Sequence, residues 1–176
     1  MHSLSIDQRV ALFTDTCRQH QLKITPQRVA IYRALIQSDQ HPTADLMFRT
    51  VKKEFPNISF DTVNRTLSTF AAIGVVDVVE VFGGPKRFDP VTDGHHHLHC
   101  MACGQIIDFE NERYSHLEVP DSIADTFKVI SKRVVLQGFC NTCPSGPEVH
   151  PRGTNRAAGQ PICQTQPKTN RPRRKR

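Results

Sequence analysis

No stretch of this 176-residue chain approaches the ~18 consecutive apolar residues that a membrane helix needs, and the sequence contains no Trp. The first 25 residues interleave Asp7, Arg9, Asp15 and Arg18 with their apolar positions, so they are not expected to act as a signal peptide. No Gly-rich loop of the kind that cradles phosphate occurs, nor any nucleophile motif. The dense His run beginning at His95 also lacks the following Asp-His of a di-metal hydrolase. These absences leave a soluble cytoplasmic protein as the expectation, a setting in which free or metal-bound thiols outnumber disulfides. With 38% hydrophobic residues the chain is too apolar to be wholly disordered, and it suffices for one ordinary domain or two small ones.

The net charge of +6 suggests a nucleic-acid partner until it is divided by position. Residues 1–143 carry 15 Lys and Arg against 16 Asp and Glu, whereas residues 144–176 carry 8 against Glu148 alone. The basic excess therefore describes a tail. Within the first part, residues 1–90 stand at +2 and residues 91–143 at −3, which makes the N-terminal portion the better candidate for touching phosphate.

The first ninety residues read mostly as helix. Ile6, Val10, Phe13 and Cys17 recur on one helical face. Thr25 caps a second helix that opens with Pro26 and runs to about Ser38. Thr43 caps a third, with Met47, Val51 and Phe55 every four residues. Ser59 caps a fourth, with Val63, Leu67, Phe70 and Ala71 on one face and Gly74 as its stop. The period then changes: Val75–Phe82 is rich in β-branched residues, Gly83-Gly84-Pro85 is a turn, and Lys86-Arg87-Phe88 returns. Short helices followed by a hairpin predict a winged helix-turn-helix over residues 1–88, with Asp61–Ala72 as its reading helix. A hinge over 89–94 leads to a second unit, 95–143, containing a strand near Gln105–Phe109, a helix within 113–126 and a strand from Phe127 to Phe139. That unit is small and its core is thin, so a metal or a partner subunit is expected to help it fold. The Pro-rich basic tail, 144–176, reads as disordered.

Three constellations carry chemistry. Cys100-x-x-Cys103 and Cys140-x-x-Cys143 supply two thiolate pairs, each able to grip a tetrahedral zinc from one tight turn; the competing readings are buried thiols or a redox pair. The 36 residues between the pairs match a strand–helix–strand insert whose ends meet at the metal. In the run His95-His96-His97-Leu98-His99, an extended backbone sends His95 and His97 to one face and leaves His96 and His99 off it. A transition-metal site and a plain surface cluster are both open readings. Asp108 sits among Ile106, Ile107 and Phe109, where a carboxylate usually has a partner, whereas His41 before Pro42 reads as ordinary loop. In the reading helix Arg65 suits a guanine edge and Asn64 an adenine, while Thr62 and Thr66 suit phosphates; the alternative is a merely solvated helix face. Lys86 and Arg87 on the wing, with Lys52 and Lys53, tilt the reading toward DNA. Cys17 reads as a core residue, and Cys163 falls in the tail.

Several of these segments together resemble the ferric uptake regulator (Fur) family. They are Ile24-Thr25-Pro26-Gln27-Arg28, His41-Pro42-Thr43-Ala44, Arg87-Phe88-Asp89, His95-x-His97-x-x-Cys100-x-x-Cys103-Gly104, Ile107-Asp108-Phe109 and Cys140-x-x-Cys143, in order from about residue 8 to 143. The resemblance implies an α+β, homodimeric, non-enzymatic repressor of double-stranded operator DNA. It would pair an N-terminal winged-helix domain with a small C-terminal α/β dimerisation domain, in which Cys100, Cys103, Cys140 and Cys143 hold a structural zinc. Carried over by position, His41, Asp89, His95, His97 and Asp108 would bind a regulatory Fe(II) or Mn(II). Asp at both carboxylate positions resembles the peroxide-sensing branch, in which Fe(II)-dependent oxidation of a ligand histidine, here His41 or His95, releases metal and operator. A metal-supply regulator of the same family is the alternative, and a metal-dependent hydrolase or thiol oxidoreductase a more distant one. Two departures stand out. Lys132 and Ser115 occupy positions where parts of the family have a His and a Glu for a third metal, so that site is expected to be absent, and Asn64 stands where a Tyr is usual.

Overall fold

The structure is a computed structural model, and it describes residues 4–38, 40–81, 84–124 (the backbone alone at 124) and 126–143. The expected turn residue Gly83, the tail 144–176 and Cys163 lie outside the described residues. Four helices come first: α1 (Ile6–Gln19), α2 (Pro26–Ile36), α3 (Ala44–Val51) and α4 (Phe60–Ala72). Each begins on a hydroxyl cap. Ser5, Thr25, Thr43 and Ser59 accept from backbone N–H groups of the first turn, and Pro26 occupies a position where a missing N–H costs nothing. Helix α4 stops where Gly74 takes a φ of +72°, a left-handed conformation that a Cβ would strain.

Helix α2 packs against α1, α3 and α4 around one apolar core. Phe13 stacks on Tyr32 with ring centroids 4.3 Å apart, and Phe70 meets Phe13 edge-on at 5.0 Å. Ile31, Leu35, Met47, Val63 and Leu67 complete the interior, and Cys17 is buried there as a free thiol. A two-stranded antiparallel wing, β1 (Asp77–Val79) with β2 (Arg87–Asp89), follows. Its first strand is shorter than the expected run from Val75. The N–H of Val75 still bonds the Phe70 carbonyl at the end of α4, and Val76 is buried. Phe88 of β2 donates its N–H to the carbonyl of Pro42 (3.0 Å), tying the wing to the loop before α3.

The second sheet has order β4-β3-β5: β3 (His96–Cys100) pairs antiparallel with β4 (Ile106–Phe109) and parallel with β5 (Val135–Gly138). The helix expected within 113–126 is two short ones, α5 (Glu112–Ser115) and α6 (Asp121–Ala124), because Pro120 between them cannot continue a helix. The strand expected from Phe127 to Phe139 shrinks to β5, since only the residues facing β3 find a ladder partner. His99 also departs from expectation. Strand alternation sets it on the side of His97, buried within reach of the Arg87 charge.

From residue 95 onward, the buried residues among those described are His95, His96, His97, His99 and Cys100. This half is built around imidazoles and a thiol, with its aliphatic side chains at the surface. The helical half, by contrast, rests on hydrocarbon. Truncating its best-packed ring, Phe70→Ala, is therefore expected to cost about 3–5 kcal/mol in urea unfolding of the helical core, and a loss under about 1 kcal/mol would contradict this packing.

Candidate metal centres

Two clusters gather potential ligands. In the first, Cys100 at the end of β3 and Cys103 in the following turn meet Cys140 and Cys143 after β5. The sulfurs of Cys100 and Cys143 lie 3.9 Å apart, as do those of Cys103 and Cys140, with Cys140 and Cys143 at 3.4 Å. These separations far exceed a disulfide bond of about 2.05 Å. They match four thiolates on a tetrahedral zinc, whose sulfurs stand about 3.8 Å apart at Zn–S bonds near 2.3 Å. Gly104 closes the first turn, donating to the Cys100 carbonyl (2.8 Å) with φ +70°. Burial acts to raise the Cys100 pKa, but the backbone N–H groups of Cys103, Cys140 and Ala102 outweigh it and hold the thiol below its usual value. The Thr142 hydroxyl, 3.0 Å from the Cys140 sulfur, brings that thiol down to about 6. Cys143 shifts the other way, driven first by Cys140 beside it, as expected where four thiolates crowd together and a dication would relieve them.

The second cluster draws on four segments. His41 comes from the loop before α3, Asp89 from the end of β2, His95 from just ahead of β3 and His97 from within it, and Asp108 from β4. Its five ligand atoms all lie within 4.8 Å of one another, around a space of one ion. Asp89 orients the group. Its Oδ1 accepts from Val91 N–H (2.8 Å), and its Oδ2 faces Nε2 of His95, His41 and His97 at 2.8, 3.3 and 3.4 Å. Asp108 Oδ1 lies 3.0 Å from His41 Nε2, 3.6 Å from His97 Nε2 and 3.8 Å from His95 Nε2. The Nδ1 of His95 sits 2.6 Å from the Asp93 carbonyl, which can only accept, so Nδ1 carries a proton and Nε2 of the neutral ring directs a lone pair inward. Nε2 of His95 and of His97 are only 3.0 Å apart, and Nδ1 of His41 is buried without a hydrogen bond. Such convergence of lone pairs and carboxylates fits a divalent cation.

The electrostatics agree. Burial acts to raise the Asp89 pKa, but His41, His95, His97 and the Val91 N–H together hold it far below the carboxylate range. Burial likewise acts to lower that of His41, but Asp108 and Asp89 push it up to about 9. The pocket favours positive charge. Three imidazoles with two carboxylates form a harder set than four thiolates and suit Fe(II) or Mn(II), as the thiolates suit zinc.

His96 stands apart. Its Nδ1 accepts from Val134 N–H (3.3 Å), so Nε2 carries the proton and faces Ser115 Oγ at 3.3 Å. Lys132 donates its ammonium to the Leu117 carbonyl (2.6 Å). Where the family's third metal is not expected, both nitrogens of the one imidazole are already engaged.

The residues expected to meet DNA separate. Asn64 and Arg65 are exposed on α4, with Arg65 3.8 Å from Asp61 one turn back. The Thr62 hydroxyl is 2.8 Å from that of the cap Ser59. Thr66 is only 7% exposed, because positions 63, 66, 67 and 70 share the core face of the helix, and it is not available to phosphate. Lys86 is exposed near Glu80, 3.9 Å away. Arg87 turns inward, its guanidinium donating to the carbonyls of His41 and Gly104 (3.2 Å each), contrary to the wing role expected for it. Two further contacts join the helical half to the region beyond the wing: Arg133 pairs with Asp77 of β1, and Arg9 of α1 donates to the Pro90 carbonyl. No local pattern announces either, since the partners lie 56 and 81 residues apart.

A sequence model described as the ferric uptake regulator family matches residues 19–137. The chain belongs to the ferric uptake regulator family. Among curated relatives, the peroxide-responsive repressor PerR of Staphylococcus aureus is 36% identical over 139 residues, covering 79% of this chain and 94% of its own. Among solved structures, the Fur protein of Vibrio cholerae matches at 25% identity and a TM-score of 0.56, over 72% of this chain and 98% of that one. The Fur protein of Helicobacter pylori, which has three functional metal binding sites, shares the fold at a TM-score of 0.66 and 20% identity, over 80% of this chain and 94% of its own. Members of this Fur family are metal-dependent, DNA-binding regulators. No helix among the described residues is long and apolar enough to cross a membrane.

Emptying the five-ligand cluster is not expected to empty the thiolates. Asp89→Ala should retain one zinc per chain by elemental analysis while its Mn(II) affinity falls about 100-fold or more, since it removes the oxygen that all three imidazoles face. Cys100→Ser should lose zinc; a zinc-free variant that kept a cooperative unfolding transition for the β3 sheet would argue against a structural role.

Proposed function

We propose that this chain is a homodimeric, metal-dependent repressor of double-stranded operator DNA that responds to hydrogen peroxide. The observation that carries the reading is the five-residue cluster, because its ligands come from both halves of the molecule. Cys100, Cys103, Cys140 and Cys143 hold structural zinc. His41, Asp89, His95, His97 and Asp108 hold Fe(II) or Mn(II). Occupancy joins the loop ahead of α3 to the β3–β4 pair and so favours one placement of the winged helix over others. Asn64 and Arg65 on α4 then face the major groove, with Lys86 on the wing near phosphate. The 1–88, 89–94 and 95–143 units would act as reader, connection and dimerising sensor, although Asp89 itself closes the wing as the last residue of β2.

Two observations favour peroxide over metal supply as the signal. Both carboxylates are Asp, and the Staphylococcus aureus relative is a peroxide-responsive repressor. Bound Fe(II) would activate hydrogen peroxide beside its ligands, so that overall one peroxide oxygen would pass to an imidazole carbon and the hydrogen it displaces would leave with the other oxygen as water. The His41 and His95 rings are held at the cluster, His95 by the Asp93 carbonyl and His41 by burial. An oxidised ring is a poorer ligand, so the two halves part and DNA is released. Loading with Fe(II) or Mn(II) before a brief peroxide dose tests this. Operator binding should be lost in the Fe(II) sample alone, with one added oxygen on His41 or His95 by peptide mass spectrometry. Retained binding and unoxidised histidines in both samples would mark a metal-supply regulator instead.

The dimer reading rests on the other face of the second sheet. Ile107, Leu98 and Leu136 lie side by side across β4, β3 and β5, opposite His97, and each is 38–40% exposed. An apolar row of this kind suits a second copy. Leu98→Glu should convert the dimer to a monomer by analytical ultracentrifugation with zinc retained; an unchanged dimer would place the interface elsewhere.

A further inference from the structure

We propose that Arg87 is a positioning residue that ties the four-thiolate turn to the five-ligand cluster, so that the state of one site sets the affinity of the other. The inference rests on the metal-sensing reading above and deepens it. Nη1 of Arg87 donates to the carbonyl of His41, itself a member of the cluster, and Nη2 donates to the carbonyl of Gly104, the residue after Cys103 (3.2 Å each). One planar guanidinium thus spans the two sites with a rigid fork, which a flexible point charge such as Lys would not reproduce. The backbone around it is equally constrained. Arg87 bridges Thr43 in an isolated antiparallel pairing, its neighbour Phe88 bonds Pro42, and two residues on Asp89 enters the cluster. Gly104 must stay small for this contact, because a Cβ there would stand 3.2 Å from Nη2, and its φ is +70°. No carboxylate among the described residues lies within ion-pair distance of Arg87, and its Nε is buried without a partner. Its half-buried charge is spent on carbonyl oxygens, an arrangement with no use for phosphate. When the thiolate turn is closed on zinc, the Gly104 carbonyl is fixed, Arg87 is fixed by it, and His41 is held toward Asp108.

Arg87→Met keeps the aliphatic stem and removes both donors; Gly104→Ala keeps the guanidinium and crowds the same contact. Mn(II) titration of the full zinc-loaded chain, followed by the EPR signal of free Mn(II), reads the effect, with zinc checked by elemental analysis. Each variant is expected to retain zinc and to bind Mn(II) about 10-fold or more weakly, the range seen when groups behind metal ligands are removed. The double variant should be no weaker than the weaker single one, because both changes break one contact. Mn(II) affinity within about twofold of wild type in Arg87→Met, with operator affinity alone reduced, would overturn the proposal and return Arg87 to the DNA surface. Additive losses in the double variant would also overturn it, marking two unrelated structural effects. If Arg87→Met does not hold zinc, Gly104→Ala decides alone by the same affinity criterion. A wild-type chain that takes up no Mn(II) would instead remove the sensing reading, and the tether with it.

Discussion

A single carboxylate oxygen, Oδ2 of Asp89, faces three imidazole nitrogens in an interior almost closed to water. Without an ion, hydrogen bonds fill that geometry only if the imidazoles take on extra protons and share two carboxylates. Nε2 of His95 and His97 stand 3.0 Å apart, and the Asp93 carbonyl already claims the proton on the far side of His95. A buried polar group without a partner costs roughly 1–3 kcal/mol, and here several share one small volume. A divalent cation answers all of them at once. The sheet half therefore depends on coordination in a way the helical half does not, because its interior is imidazole and thiol where a typical domain has Leu and Val. In such a unit, ion binding and folding are two names for one free energy.

The helical half shows the opposite economy. Phe13, Tyr32 and Phe70 lock three helices together around a core that is almost wholly hydrocarbon. That contrast assigns the moving part. On the proposed function, a change at the cluster would leave α4 intact and alter only where it stands, since the ligands bordering the helical half, His41 and Asp89, hang from a loop and a strand end. The Arg133–Asp77 pair and the Arg9 contact to Pro90 add weaker links across the same boundary. They favour the joined arrangement without fixing it, as partly exposed pairs contribute little alone.

Legibility in the sequence follows distance along the chain. Caps are local chemistry, so Thr25, Thr43 and Ser59 are readable as helix starts and Gly74 as a stop. The two Cys-x-x-Cys pairs announce themselves by spacing, and their sulfurs do converge. Periodicity also holds the answer for Thr66, whose place between Val63 and Phe70 puts it on the core face although its hydroxyl suggests phosphate. His41 is different. Read alone it is loop, and only a resemblance running the length of both halves connects it to Asp89 and Asp108, because nothing within a few residues marks a partner 48 or 67 positions away. Arg87 misleads for the same reason: a basic residue on a wing looks like a phosphate contact until the fold brings a carbonyl to each side of its fork. The strand ahead of Phe139 is shorter than its sequence suggests because β-branched runs record propensity, while the ladder extends only as far as β3.

The two clusters share one strand, and that economy has a mechanical meaning. Only Leu98 and His99 separate His97 from Cys100, so a metal on the thiolates anchors the far end of β3, with β4 and β5 paired on either side. His95 and His97 are then presented at fixed spacing before the second ion arrives, and less ordering remains to be done when it does. A soft, closed site suits this task, whereas the harder, more open site is better suited to exchanging its ion. Asp108, at 41% side-chain exposure, is the one ligand of the second cluster at the surface and marks its path to solvent. The proposed division of labour follows from donor chemistry: thiolates suit a metal held for structure, and imidazoles with carboxylates suit one that exchanges.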